Sequence, residues 1–382
     1  MTAGREPAGD EGVGPAAPGG AGRAGVEPRE AEAAPVEASP DRDPGLIEPV
    51  RAATVPVVFF GSGGFGLPAL EALLDMPQVE LVLVVSTPDR PVGRRAVLGP
   101  TPVAARAREL GLPLFQPSRL GDAETVATLA RSRPRLGVLA DYGRLVPDAV
   151  LELFPAGILN LHPSLLPRHR GAAPIPAAIL AGDAETGVSL IVLVHELDAG
   201  PIVAAERLPL RGDEAAPELE ARAAEAAAAL LRRTLPRWLV GEVAPAPQPA
   251  AGVTLTRPLR REDGRLDPRR PAVTLERQVR AFQPWPGSFV ETAAGRLVVW
   301  RAEAAVRPVS PDDGGGGRVA PPGRLVADGD GLALATADGL LRLLEVQLAG
   351  GRRMSAAELR RGRPGLAGSG IGPADGEDAA RS

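Results

Sequence analysis

The sequence contains neither cysteine nor lysine, and it has only three histidines. Without cysteine the chain can form no disulfide bond and no thiolate metal site, and three histidines provide little material for a zinc cluster. Because all 43 basic residues are arginines, Schiff-base chemistry and a lysine-dependent phosphate loop are excluded as well. We therefore expect no metal cofactor and no lysine-based catalysis.

Long apolar segments are also missing. No stretch reaches the roughly eighteen uninterrupted apolar residues of a membrane-spanning helix. Arg5, Glu6, Asp10 and Glu11 occupy the region where a signal peptide needs an apolar core. We expect a cytoplasmic monomer with no membrane partner. With 382 residues, 44% of them hydrophobic, the chain is long enough for two or three domains with substantial cores.

Composition divides the chain into five segments. Residues 1–53 are rich in Ala, Gly, Pro and Glu without a sustained apolar period, which predicts a disordered tail; a translation start further downstream is an alternative. Apolar runs that alternate with helical stretches over residues 54–240 predict an α/β domain with a parallel sheet. Residues 241–252 are predicted to form a proline-rich linker, residues 253–363 a second domain, and residues 364–382 another disordered tail.

The apolar pattern also predicts individual elements. In the first domain, strands are expected at residues 55–60, 79–85, 136–140, 157–161 and 189–194, and helices at residues 68–76, 103–110 and 214–233. In the second domain, short strands at residues 297–300, 323–326, 332–336 and 340–346 are separated by glycine-rich turns. This spacing predicts a small β-barrel without choosing among the known barrel types.

Charge is distributed unevenly along the chain. Residues 1–51 hold ten acidic residues against five arginines, whereas residues 252–363 hold nineteen arginines against thirteen acidic residues. A basic second domain is compatible with contact to phosphate groups, although the whole chain carries a net charge of −4. Net charge alone does not separate nucleic-acid binding from ordinary solubility.

The most informative segment contains Asn160 and His162, separated by one residue at the end of an apolar run. On a strand, side chains two residues apart leave the same face, so the amide and the imidazole point to one place. Two such donors can stabilise an oxygen that gains negative charge during acyl transfer. The carboxylate of Asp198 can hold the imidazole and accept a proton. We therefore predict acyl transfer with Asn160, His162 and Asp198 as the catalytic residues.

Other features allow different interpretations. Residues 61–66 fit the pattern Gly-x-Gly-x-x-Gly between a strand and a helix, and Asp89 lies near the end of the next strand. Alone, this arrangement predicts a dinucleotide site; the alternative is that the glycines only permit a tight turn near the substrate. His169 and His195 lack the neighbours of His162, and we interpret both as surface or supporting residues.

Further motifs continue the pattern in chain order. They are Asn-Leu-His-Pro-Ser-Leu-Leu-Pro at 160–167, Arg-Gly-Ala-Ala-Pro-Ile at 170–175, Gly-Asp-Ala-Glu-Thr-Gly-Val at 182–188, Leu-Asp-Ala-Gly at 197–200, Ala-Phe-Gln-Pro-Trp-Pro at 281–286 and Met-Ser-Ala-Ala-Glu-Leu at 354–359. This series resembles the folate-dependent formyltransferases, and in particular the members that act on methionyl-tRNA. The resemblance covers approximately residues 55–362.

The resemblance implies a Rossmann-like catalytic domain followed by a small OB-like β-barrel. It also implies transfer of a formyl group from 10-formyltetrahydrofolate, the co-substrate, to the α-amino group of methionine carried by initiator tRNA. The family's catalytic positions match Asn160, His162 and Asp198. By the same resemblance, Arg94 and Arg95 belong to a loop that contacts the tRNA. The implied folate-binding residues are Ser164, Leu165, Leu166 and Pro167.

The sequence departs from the family pattern at two places. Arg95 is followed by Ala96-Val97-Leu98, where the family more often continues with basic residues, and Asp141 precedes Tyr142 where a small residue is common. The alternatives are a formyltransferase for a sugar nucleotide or glycinamide ribonucleotide, an NAD-dependent oxidoreductase, and a non-catalytic RNA-binding module. The closing motif at residues 350–356 favours the tRNA-specific members.

Overall fold

A computed structural model describes residues 54–92, 97–306 and 320–372 of the chain. The predicted N-terminal tail and the proposed RNA contacts Arg94 and Arg95 lie outside the described residues. All described residues belong to one compact unit.

The first domain alternates strands and helices, as its apolar pattern predicts. The strands are β1 (Val55–Gly61), β2 (Val79–Val85), β3 (Arg90–Val92), β4 (Val97–Gly99), β5 (Leu114–Phe115), β6 (Leu136–Ala140), β7 (Ile158–His162), β8 (Arg170–Gly171), β9 (Glu185–Val192) and β10 (Ile202–Pro209). The helices are α1 (Leu67–Leu74), α2 (Pro102–Glu109), α3 (Ala123–Arg131), α4 (Asp148–Leu151), α5 (Pro174–Ala181) and α6 (Ala216–Leu239).

A seven-stranded sheet of described residues organises this domain, in the order β10-β9-β7-β6-β1-β2-β5. The pairs β7-β6, β6-β1, β1-β2 and β2-β5 are parallel. The pairs β10-β9 and β9-β7 are antiparallel. Every residue of β6 and β7 is buried, which explains why β6 is a continuous apolar run rather than an alternating sequence. The carboxyl ends of β1, β6 and β7 meet at one edge, where sheets of this kind bind ligands.

Helix α6 covers this sheet together with α1. Its buried face is built mainly from small and aliphatic side chains, among them Ala223, Ala227 and Leu231. Alanine has the highest helix propensity and allows a close approach to the sheet. The helix extends six residues beyond the predicted end at residue 233, because Leu235, Trp238 and Leu239 continue the buried stripe.

The second domain is a smaller antiparallel structure. Its strands are β11 (Leu255–Thr256), β12 (Ser288–Thr292), β13 (Gly295–Val306), β14 (Leu325–Asp328), β15 (Gly331–Ala335), β16 (Gly339–Leu348) and β17 (Met354–Ser355), and its helices are α7 (Ala272–Ala281) and α8 (Ala356–Gly362). The ladder runs β12-β13-β16-β15-β14, with β17 on β16, while β11 pairs instead with β8 of the first domain. Leu275, Leu297 and Leu341 lie in its separate core.

Two boundaries differ from the sequence-based ones. Residues 364–372 were expected in a disordered tail, but Pro364–Leu366 forms a 3₁₀ turn with Leu366 buried. The residues that follow Leu366 pair with the start of β14, where the N–H of Leu325 donates to the carbonyl of Ser369. The segment predicted as a proline-rich linker is in contact with the first domain, because Ala246 forms a bridge with Ile202. In the described part of the chain, no helix is long and apolar enough to cross a membrane.

Helix α1 provides a direct test of this packing. Leu70 is fully buried and Leu74 is 41% exposed, although both are on the same helix. Leu70→Ala should lower the free energy of unfolding by about 2–5 kcal/mol through lost burial and a residual cavity. Leu74→Ala, the matched control, should cost much less. Urea unfolding followed by circular dichroism measures both, and equal losses would contradict the burial described.

Candidate active site

The three predicted catalytic residues converge at the carboxyl edge of the sheet. Asn160 and His162 leave the same face of β7, and Asp198 approaches from the loop after β9; the three residues are 5%, 5% and 9% exposed. The Asn160 Nδ2 atom donates to Asp198 Oδ1 at 3.2 Å. The His162 Nδ1 atom lies 3.6 Å from Asp198 Oδ2. The structure therefore brings together the residues that the sequence pattern selected.

The Asp198 carboxylate also binds a main-chain group. The N–H of Gly171 donates to Asp198 Oδ2 at 2.8 Å. A buried carboxylate needs such donors, because removal of its hydration without compensation is costly. Gly171 has a φ of +108°, and an added Cβ would lie 2.1 Å from the carbonyl oxygen of Thr256. The Arg-Gly motif is thus explained by a close backbone contact that only glycine permits.

The tautomer of His162 follows from its partners. Its Nε2 atom lies 3.0 Å from the carbonyl oxygen of His169, and a carbonyl can only accept, so Nε2 carries the proton. The Nδ1 atom of the neutral ring is then an unprotonated base that faces Asp198. Burial lowers the pKa of His162 below its usual range, and the charge of Asp198 opposes this effect. The neutral ring is consequently favoured near neutral pH.

A cavity of about 980 Å³ lies beside these three residues. Its wall combines apolar side chains, including Phe65, Leu139 and Ile175, with the polar groups of the site. Folate-sized ligands fit cavities of this volume and mixed character. The cavity thus has room for a folate co-substrate and an acceptor group at the same catalytic residues.

The four predicted folate positions are not part of this wall. Ser164 is fully buried, and its hydroxyl donates to the carbonyl of Arg168. The Leu166 N–H donates to the hydroxyl of Ser189. Ser164, Leu165, Leu166 and Pro167 form the turn that follows His162 rather than the lining of the cavity.

The glycine-rich segment at residues 61–66 is closely packed against the end of β6. The N–H groups of Ser62 and Gly63 both donate to the carbonyl of Asp141, so they are not directed at a pyrophosphate. An added Cβ on Gly66 would lie 2.8 Å from the carbonyl of Ala140. Asp89 is bound by Gln116 and Arg108 instead of being free for a ribose. This geometry favours the tight-turn interpretation over a dinucleotide site.

The other two histidines differ from each other. His169 is buried, with Nε2 at 2.8 Å from Asp183 Oδ2, and its main chain orients His162. The surface interpretation is wrong for His169, and the supporting role is correct. His195 is exposed and contacts Asp148. Within the described residues, no cluster of three or more His, Asp or Glu side chains could hold a metal ion.

Sequence reasoning missed most of the cavity wall. Asp141 was singled out only as a departure from the family pattern, and it lines the cavity together with Tyr142, Glu220 and Trp285, from three distant parts of the chain. One signal was available, because Asp141 directly follows β6, and neighbouring parallel strands end at the same edge. Glu220 on α6 and Trp285 after α7 have no comparable local signal.

The fold and this buried amide, imidazole and carboxylate fit the acyl-transfer site that the sequence predicts, and comparison with known proteins identifies the family. A family model described as formyl transferase matches residues 55–235, and one described as formyl transferase, C-terminal domain, matches residues 258–364. A methionyl-tRNA formyltransferase of Thermus thermophilus is 44% identical over 306 residues, covering 80% of this chain and 95% of that protein. One from Roseiflexus castenholzii is 43% identical over 306 residues, with the same coverage of 80% and 95%.

Solved structures with a similar fold include two that contain folate compounds. The N-formyltransferase from Helicobacter canadensis, in complex with folinic acid and dTDP-3-aminofucose, has a TM-score of 0.54 at 13% identity, covering 79% of this chain and 100% of that one. HypX from Aquifex aeolicus, in complex with tetrahydrofolic acid, has a TM-score of 0.51 at 16% identity, covering 80% and 47%. At these identities the likeness shows the fold alone. With the sequence relatives, the chain belongs to the formyl transferase family, which confirms the family and fold class predicted from the motifs.

Asp141 provides a pH-dependent test of the cavity wall. Partial loss of hydration inside the cavity raises the pKa of Asp141 from 3.8 to about 6, and the negative charge of Glu220 adds to the effect. Well above pH 6 the carboxyl is charged in both folded and unfolded chains. The folded state then carries the full free-energy cost of a charged Asp141 in the cavity. Below 3.8 it is protonated in both, and the cost disappears.

Asp141→Asn should therefore stabilise the protein at pH 7.5, and the gain should shrink as pH falls from about 6 towards 4. The side chain remains accessible to solvent in the cavity, so the gain should be on the order of 1 kcal/mol or less. Thermal unfolding across this pH range measures it, with the exposed Asp330→Asn as control. A gain independent of pH would contradict this assignment.

Proposed function

We propose that the protein transfers the formyl group of 10-formyltetrahydrofolate to the α-amino group of methionine esterified to initiator tRNA. The buried contact of Asn160, His162 and Asp198 beside a folate-sized cavity carries this proposal. Identities of 44% and 43% to methionyl-tRNA formyltransferases across both domains support the choice of acceptor. We further propose that it works as a monomer in the cytoplasm, where protein synthesis is initiated.

The reaction begins when the free amine attacks the formyl carbon and the carbonyl electrons move to oxygen. Each amide NH₂ has two donors, and Asn160 uses one on Asp198, so the second is available to the developing oxyanion. The unprotonated Nδ1 of His162 accepts the proton released by the attacking nitrogen. The negative charge of Asp198 stabilises the resulting imidazolium. The new N–H group at Nδ1 of His162 becomes the second donor to the oxyanion.

The tetrahedral intermediate then collapses with cleavage of the bond between the formyl carbon and N10. The departing nitrogen takes the proton from Nδ1 of His162, beside Asp198. The imidazole is then neutral again, and Asp198 is still a carboxylate. No covalent bond to the protein is formed. Because Gly171 and His169 hold this pair through main-chain groups, the catalytic groups are oriented before substrate binds.

Substrate contacts remain proposals. Ser164, Leu165, Leu166 and Pro167 are assigned to folate by resemblance, and their turn would act on it by orienting His162 rather than by lining the cavity. Arg90 does line the cavity and is exposed at the start of β3. We propose that Arg90, with Arg94 and Arg95 beyond it, provides positive charge for the phosphates near the tRNA acceptor end.

A choice of acceptors tests the proposal. The purified full-length protein should formylate methionyl initiator tRNA in the presence of 10-formyltetrahydrofolate. It should leave a dTDP-linked amino sugar and glycinamide ribonucleotide unmodified at matched concentrations. Mass spectrometry of each acceptor provides the measurement. Preferred formylation of either small acceptor would replace the proposed function with the alternative from the same fold.

The catalytic roles predict a mutational pattern. His162→Ala should lower kcat by at least about a hundredfold while the protein remains folded, because a lost oxyanion donor acts on the transition state. Asn160→Ala and Asp198→Ala should show similar losses. Double variants should lose less than the product of the single effects, since the three residues act as one unit. Single-turnover formylation assays measure these rates, and simple multiplication would show that the residues act independently.

A further inference from the structure

The linker and strand β11, which follows it, contact both main-chain segments that hold the catalytic groups. We infer that Gln248, in this linker, is a positioning residue that fixes the Asp198 loop for catalysis. The inference rests on the proposed function and extends it, because it assigns part of the active site to a segment outside both matched domain families.

All four hydrogen-bonding positions of the Gln248 side chain are used. Its Nε2 atom donates to the carbonyl oxygens of Asp198 and Gly200, each at 2.7 Å. Its Oε1 atom accepts from Arg170 Nε at 2.9 Å and Nη2 at 2.6 Å. Carbonyls only accept and a guanidinium only donates, so this chemistry fixes the orientation of the amide. Arg170 thus holds the amide in the orientation that clamps the loop.

The Asp198 loop needs such a clamp. Asp198 has a φ of +49°, a left-handed conformation that non-glycine residues adopt at an energetic cost. Gly200 passes so close to β9 that an added Cβ would lie 1.8 Å from the carbonyl of Val192. Gln248 joins the carbonyls on both sides of this turn. A small rotation of the loop would move the Asp198 carboxylate away from Asn160 and His162.

The residues just after the linker, at and before β11, hold the other side of the site. The hydroxyl of Thr254 accepts from the His169 N–H at 2.8 Å, and His169 is the residue whose carbonyl fixes the His162 tautomer. The hydroxyl of Thr256 donates to the carbonyl of Arg170 at 3.0 Å, next to Gly171, which binds Asp198. His162 and Asp198 therefore each take a partner from main chain that Thr254 or Thr256 holds.

Two variants separate the contacts of Gln248. Gln248→Leu removes all four hydrogen bonds, whereas Gln248→Glu keeps an acceptor for Arg170 and loses the donors to the loop. Gln116→Leu is the matched control, because Gln116 is also half-buried, accepts from Arg108 and donates to the carbonyl of Thr87. Gln116 has no contact with the catalytic loops among its described hydrogen bonds.

Both Gln248 variants should lower kcat for methionyl-tRNA roughly tenfold to a hundredfold, since a displacement of about 1 Å in a catalytic group has an effect of this order. The KM for 10-formyltetrahydrofolate should remain within about twofold, because Gln248 does not line the cavity. In the Asp198→Ala background, Gln248→Leu should lower the rate no further. Gln116→Leu should keep the wild-type kcat.

Hydrogen exchange on the full-length protein gives a readout that needs no substrate. Backbone amides of residues 196–202 should exchange faster in both Gln248 variants and at the wild-type rate in Gln116→Leu. Wild-type kcat in both Gln248 variants, unchanged exchange, or a full further loss in the Asp198→Ala background would each overturn the inference. Failure of the wild-type protein to formylate methionyl-tRNA would instead remove the proposed function, and it is visible before any variant is compared.

Discussion

A carboxylate buried at the edge of a sheet needs donors from every side, and the active site is arranged around this requirement at Asp198. An uncompensated buried charge costs several kcal/mol or shifts its protonation instead. Asn160 on β7 and the N–H of Gly171 on β8 donate to its two oxygens, and the His162 ring on β7 lies 3.6 Å from one of them. Gly171 can offer its N–H to Asp198 because it has no Cβ to collide with the carbonyl of Thr256.

The same requirement links geometry to proton transfer. If Nε2 of His162 were not committed to the carbonyl of His169, the ring could direct its proton at Asp198 and could not act as the proposed base. Burial, which lowers the pKa of His162, keeps the ring neutral and ready to accept a proton. Orientation and protonation state thus have one structural origin, the packing of the turn after β7.

Sequence reasoning succeeded where a short-range rule determined the outcome. The strands at residues 79–85 and 136–140 were predicted with the bounds that they have, because short and largely apolar runs between turn residues leave little ambiguity. The pairing of Asn160 with His162 followed from the two-residue period of a strand. The position of the Asp198 loop, by contrast, involves hydrogen bonds from Gln248, which Arg170 orients. Both residues are distant from the loop in sequence.

The errors have similar physical causes. Strands β10 and β12 and helix α7 were not predicted, since their polar faces and flanking prolines weaken the periodic signal, and tertiary packing decides their structure. The segment after residue 363 looked like a tail by composition, yet the burial of Leu366 and pairing near Leu325 attach it to the second domain. Composition indicates whether a segment can form a core by itself. It does not show that the segment packs against residues elsewhere in the chain.

The docked linker has a consequence for how this architecture can be rearranged. The two family matches end at residue 235 and begin at residue 258, so an exchange of second domains between relatives would naturally be joined at residue 240. Such a junction would also replace Gln248, Thr254 and Thr256, and a chimeric protein would receive part of its active site from the donor. A junction after Pro258 keeps those contacts with the sheet they support. The segment that a chimera must keep together for catalysis is therefore longer than the first matched domain.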